Sequence, residues 1–172
     1  MRLSALVGGV ALLVATLSVP ATASAASDSG AAWQPYRTAP WTDAPGAVCT
    51  FGVAATIVTD QEQYRTLASY PNGNARLQEF RGPLVIRYTN QATGDSVVRD
   101  LSGYGWFHYG SDGSIDAFIA SHIGVTVYVG NSGFPPGEWV ITGRSEVTVT
   151  GAGAINVRLI TATAENLCQT LA

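Results

Sequence analysis

The stretch GPLVIRYTNQATGDSVVRDLSG, Gly82 to Gly103, reads as two alternating strands around an Ala92-Thr93-Gly94-Asp95 turn. β-Branched and aromatic residues suit a pleated, half-buried surface, and Gly and Asp supply the turn. Because side chains alternate between faces, the choice of register decides which residues meet. Pairing Gln91 with Ser96 sets Ile86 opposite Leu101, Asn90 opposite Val97 and Tyr88 opposite Arg99. The same register leaves Arg87 and Asp100 paired on the other face. Arg99 therefore shares a face with Val97 and Leu101, where a charge needs a partner.

Outward from this hairpin the chain reads as β. Pro71-Asn72-Gly73-Asn74 ends a strand over 61–70, and Gly82-Pro83 interrupts the next one. Later turns fall at 92–95, 110–113, 130–137 and 151–153. A Ser111-Asp112-Gly113 loop aligns Phe107 with Ala117 and Tyr109 with Ile115. Continued, that register sets Leu101 against Ile123, Arg99 against Val125 and Val97 against Val127. A Gly151-Ala152-Gly153 loop aligns Val149 with Ile155, Val147 with Val157 and Glu146 with Arg158, with Gly153 left-handed. The strand over 114–129 would run about 50 Å at roughly 3.3 Å per residue. Such a strand must curl or break, and Gly124 is the natural place. Short connections imply an all-β, antiparallel up-and-down meander of about seven to eight strands. Its expected form is a small closed or partly closed barrel, with a β-sandwich as the alternative.

Residues 1–25 have the form of a secretory signal peptide: Arg2, an apolar run from Leu3 to Val19, and the small-residue site Ala23-Ser24-Ala25. The expected product is secreted, with no membrane span after cleavage. Residues 26–46 form a flexible to extended arm carrying Trp33, Tyr36 and Trp41 among prolines, and 47–172 a single β domain. The arm's aromatics suit either docking onto the domain or stacking on a sugar. Cys49 and Cys168 are the only cysteines, and an exported protein would join them in a structural disulfide. All nine basic residues are Arg, against 12 acidic ones, so no basic stripe exists for nucleic acid or an anionic membrane.

Arg99 is the first candidate for chemistry. In a lumen it could bind a carboxylate or other anion, with Tyr88 stacked on its guanidinium; the alternatives are a snorkelling Arg or an internal ion pair, for example with Glu79. His108 facing Asp116 is an acid–base candidate, though such a pair is more often an ordinary exposed cross-strand pair. His122 faces Ser102, about 20 Å away along the strand, so the two histidines share no metal. No cofactor or metal motif is present, and no nucleophile motif. Tyr104, Trp106, Phe118 and Tyr128 fall on the reverse face, an apolar patch for the arm, a second subunit or a partner to cover.

The residues Gly82, Leu84, Thr89-Asn90, Thr93-Gly94, Ser96, Arg99 and Ser102-Gly103 carry a resemblance. With Asp112-Gly113-Ser114, Gly143-Arg144 and the Cys168 to Ala172 ending, the mature chain resembles a family of secreted, β-rich actinobacterial proteins with no established function. The resemblance implies export and β architecture and transfers no activity. An inner apolar face with one Arg suggests a binder of a small apolar or anionic ligand. The alternatives are a barrel enzyme of the cyclase or isomerase type and a non-catalytic cell-envelope or surface interaction protein.

Overall fold

The structure is a computed structural model that describes residues 31–128, 134–150 and 154–172. The expected signal peptide over 1–25, residues 26–30 of the arm, residues 129–133 and the 151–153 loop lie outside the described residues. The chain is all-β apart from a terminal turn of helix. In order it forms β1 (Gln34–Pro35), β2 (Trp41–Asp43), β3 (Val53–Asp60), β4 (Gln63–Ser69) and β5 (Ala75–Gly82). There follow β6 (Leu84–Asn90), β7 (Ser96–Asp100), β8 (Gly103–Tyr109), β9 (Ile115–Val127), β10 (Gly137–Val149), β11 (Ile155–Asn166) and α1 (Leu167–Thr170). All pairings are antiparallel.

Two sheets result, with orders β1-β4-β5-β8-β9-β10-β11 and β2-β3-β6-β7. The strands are not an up-and-down meander, and among the described residues neither sheet closes on itself. The chain instead changes sheet four times, between β1 and β2, β3 and β4, β5 and β6, and β7 and β8. The last change is the largest departure from the sequence expectation, which ran one strand through 96–109. Asp100 Oδ1 accepts from the Ser102 N–H at 2.8 Å, and Ser102 Oγ accepts from the Leu84 N–H at 3.0 Å. These side-chain bonds replace ladder bonds at the corner, so β8 leaves β7 and pairs with β5. Consequently β7 does not pair with β9 among the described residues.

The registers differ where a side chain or bulge intervenes. In β6–β7, Ser96 pairs with Thr89 rather than Gln91, so Arg99 lies opposite Ile86 and Arg87 opposite Val98. The cause is Asn90: its N–H bonds Asp95 O at 2.8 Å, and its Oδ1 accepts from the Ala92 N–H at 2.9 Å, lengthening the loop. The shift is by two, which keeps each side chain on its expected face. In β8–β9, Tyr109 does pair with Ile115, but a bulge beyond it puts His108 opposite Ala117 and Phe107 opposite Phe118. β9 is continuous through Gly124, and the irregularity sits on its partner β10, next to Gly143 at φ +101°. The β10–β11 register is as read: Val149 with Ile155, Val147 with Val157, and Glu146 hydrogen-bonded to Arg158.

The inner faces of β3 and β6 (Val53, Ala55, Ile86 and Tyr88) pack with Val140 of β10 and with Leu167 and Leu171. A second cluster, Val125, Val127, Ile141, Val147 and Val157, runs along β9–β11. Three links tie the C-terminus to the smaller sheet or to the turn that leads into it. The Cys49–Cys168 disulfide spans 119 residues. Buried Asn90 donates from Nδ2 to Leu171 O at 2.8 Å, and Arg99 on β7 forks onto Glu165 on β11. Among the described residues no helix is long and apolar enough to cross a membrane. Cross-linking so long a loop restricts the unfolded chain, so Cys49→Ala with Cys168→Ala should lower the urea unfolding free energy by about 2–5 kcal/mol. A loss below about 1 kcal/mol would mean that the two non-covalent links suffice.

Candidate functional site

Between the sheets lies a cavity of about 510 Å³. Alternate residues of β8 (Gly103, Gly105, Phe107 and Tyr109) face it, as a strand's period of two requires. Leu84, Ile86 and Leu101 supply the opposite wall from the smaller sheet. The N-terminal arm crosses between sheets: β1 pairs with β4 and β2 with β3, and Tyr36, Thr38 and Trp41 between and within them line the cavity. The larger-sheet wall is aromatic. Tyr64 stacks on Phe80 (5.7 Å between centroids), Phe80 meets Phe107 at 4.7 Å, and Phe107 stacks on Phe118 at 4.9 Å. Tyr36 stands edge-on to Phe80 at 5.2 Å. Such rings present flat, rigid apolar surface at little cost in side-chain entropy.

Polar groups at the rim are mostly satisfied. Thr38 donates from Oγ1 to Glu62 Oε2 at 2.5 Å, and its N–H bonds Asp60 Oδ2 at 2.8 Å, which fastens the arm. Burial raises the Glu62 carboxyl, Thr38 lowers it and Asp60 raises it further. Tyr109 donates to Gln78 Oε1 at 2.8 Å, and burial pushes its phenol up to about 12. Two cavity-lining side chains differ: Trp41 Nε1 and His122 Nδ1 are buried with no hydrogen-bond partner.

A buried polar row continues behind the cavity. Tyr88 is fully buried, and its hydroxyl stands 2.6 Å from where a Cβ on cavity-lining Gly124 would be; that close approach requires glycine. Two residues along β9 is Thr126, opposite Glu138, and Thr126 donates to Glu138 Oε2 at 2.7 Å. Tyr128, two further on, donates to Asp43 Oδ1 at 2.9 Å. Tyr88 Oη, Glu138 Oε1 and Asp43 Oδ2 are buried and lack partners. Burial raises the Tyr88 phenol well above its ordinary value, and the Glu138 charge adds to this, so the hydroxyl keeps its proton. Burial also pushes the Glu138 carboxyl up to about 7, against the Thr126 bond and with help from Asp43.

The residues singled out in the sequence do not converge. Arg99 is on the inner face but at its edge, its Nε and Nη2 on both Glu165 oxygens at 2.7 and 2.6 Å. The two side chains are 30% and 33% exposed. Glu79 pairs with Arg65 instead. Tyr88 lies two residues along the neighbouring strand from Ile86, the partner of Arg99, and packs edge-on to Trp41 at 6.0 Å rather than on the guanidinium. His108 and Asp116 are exposed and not paired in the ladder. The reverse-face patch is divided: Phe118 stacks on Phe107, Tyr128 bonds Asp43, and Tyr104, 58% exposed, meets Trp106 edge-on. Of this patch the arm reaches Tyr128, through Asp43, while its Trp33 has the Arg65 and Arg81 guanidiniums 4.7 and 3.7 Å from its ring centroid. Among the described residues no group of three or more His, Cys, Asp or Glu gathers to hold a metal ion.

Sequence reasoning weighed Trp41 only as an arm aromatic for docking or sugar stacking and His122 only as a metal partner for His108, and it passed over Phe80, Phe107 and Glu138 as site residues. The usable signal was Gly103-x-Gly105-x-Phe107-x-Tyr109, in which glycines open space beside aromatics on one face. Comparison with protein families, curated proteins and solved structures finds no match.

Glu138 gives a signed prediction. Its folded value of about 7 exceeds its ordinary 4.5, so folding binds a proton between these limits. Stability should fall as pH rises through that window and level off above it. Glu138→Gln should flatten this dependence and gain up to about 3 kcal/mol at pH 8, read from urea unfolding at pH 5 and 8. An unchanged pH slope would contradict the assignment.

Proposed function

We propose that the protein is an exported binder of one small, flat, apolar molecule held between its two sheets. The observation that carries this reading is the cavity of about 510 Å³ with its continuous aromatic wall. Its size falls in the roughly 300–1,000 Å³ range of small-molecule sites, and apolar walls with few polar groups are their usual lining. An anionic ligand has less support, because Arg99 is committed to Glu165. Export rests on the leader-like residues 1–25 and on a disulfide suited to an oxidising compartment. Arg99–Glu165 joins the edge strands β7 and β11, while the arm joins edges β1 and β2, which favours reading the sandwich as a flattened barrel.

The test is fluorescence titration with N-phenyl-1-naphthylamine, a flat apolar probe. The wild-type chain should give saturable, one-to-one enhancement. Ala120 is buried and lines the cavity, so Ala120→Phe should place a ring in that space and abolish the enhancement, at a stability cost of about 1–3 kcal/mol. No saturable signal in the wild type, or equal binding by the folded variant, would overturn the reading.

A further inference from the structure

The cavity has one end whose polar atoms are unlike those of the rim. Tyr36, Tyr104 and Ile115, at the rim, are exposed. At the other end, two buried hydrogen-bond donors have no acceptor: the indole N–H of cavity-lining Trp41, and the Tyr88 hydroxyl, which stands against cavity-lining Gly124. Their rings touch edge to face, with centroids 6.0 Å apart. Trp41 lines the cavity directly, and Tyr88 continues the row of Leu84 and Ile86 that forms one wall. A buried donor without a partner is costly, and an indole N–H can only donate. Tyr88, Glu138 and Asp43 are all outside the cavity lining, but of their orphaned atoms the Tyr88 hydroxyl is the one that stands against lining Gly124, and His122 Nδ1 is the remaining orphaned atom of a lining residue. A ligand entering from the rim therefore meets an apolar, aromatic passage that ends in donors.

We propose that the ligand carries an oxygen acceptor, a carbonyl or hydroxyl, at its leading end, and that Tyr88 Oη–H and Trp41 Nε1–H donate to it. The class is thus a neutral, flat, ring-bearing ketone or alcohol rather than a pure hydrocarbon or an anion. An anion would lack a countercharge at that end: Arg99 is paired with Glu165, and the Arg81 guanidinium lies over the Trp33 ring, 3.7 Å from its centroid. The proposal rests on the cavity being a ligand site, and deepens that reading by naming the head group.

The experiment compares two probes of one shape on the full mature chain. One is 6-propionyl-2-(dimethylamino)naphthalene, a ketone whose emission moves to the red when its carbonyl accepts a hydrogen bond. The other is 6-propyl-2-(dimethylamino)naphthalene, which lacks the carbonyl. The ketone should bind the wild type more tightly. Tyr88→Phe should weaken the ketone roughly fivefold, as loss of one net hydrogen bond implies, shift its bound emission to the blue and leave the alkyl probe unchanged. Trp41→Phe should act in the same direction. Tyr88→Phe removes an unpartnered buried hydroxyl, so the variant should fold at least as stably as the wild type. Equal binding of the two probes, or parallel losses for both in the variants, would overturn the head-group proposal while leaving the cavity a binding site. Failure of both probes to bind the wild type would overturn both.

Discussion

The bidentate Arg99–Glu165 pair spans the two sheets where their backbones do not. β7 ends one sheet and β11 the other, and this ion pair is the hydrogen-bonded bridge between those edges. Antiparallel sheets leave unpaired edges that must be managed, and closing a backbone ladder is one solution. Here the Arg99 and Glu165 side chains link one pair of edges, β7 and β11, and the arm that carries β1 and β2 runs between the other pair. Partial exposure of both partners keeps the pair modest in energy, so its effect is geometric more than thermodynamic. The disulfide and the Asn90–Leu171 bond hold the same end of the molecule and set the spacing at which Arg99 and Glu165 meet.

Pinning at that end has a consequence at the other. Near the C-terminus the sheets meet through Val53, Ile86, Val140 and Leu167 in a filled core. Toward β4, β5 and β8 the inner faces carry aromatic rings on one wall and Leu84, Leu101 and glycines elsewhere. Rings stacked along one sheet, Tyr64 to Phe118, brace that wall and cannot rotate freely into the gap. The arm is fastened by Thr38 to Asp60 and Glu62 and covers part of the opening. A space is thus retained where a well-packed sandwich would close. At its inner end, Tyr88 and Trp41 keep donors that the protein itself leaves unused.

Local features were legible in the sequence and the long-range ones were not. The β10–β11 register followed from alternation and a Gly-x-Gly loop, because nothing outside the hairpin competes with it. The Pro71-Asn72-Gly73-Asn74 turn and the break at Gly82-Pro83 were equally local. The β6–β7 register slipped by two because Asn90 caps the loop with its side chain, which alternation does not record. The Leu101-Ser102 corner was missed for a related reason: Asp100 and Ser102 read as ordinary strand-end polar residues until Leu84 is seen to donate to the Ser102 hydroxyl. That corner moves β8 to the other sheet, so missing it hid the cavity. Arg99 was correctly placed on the inner face, yet only its partner Glu165, 66 residues away, decides that it clasps sheets instead of holding a ligand. The parity of β9 turned on one bulge beside Tyr109, which brings Phe118 onto Phe107 and His122 and Gly124 to the cavity.

The claim on which the rest converges is that a small molecule lies between the sheets, along the Phe80–Phe107 wall. Isotope-filtered nuclear Overhauser measurements on the labelled chain, saturated with an unlabelled naphthyl ketone, read its position directly. Cross-peaks from the ligand to Ile86, Leu101, Phe107 and Ala120 are predicted, all of which line the cavity. Cross-peaks confined to exposed residues such as Val98 or Ile160 would place the ligand outside the sheets and contradict that claim.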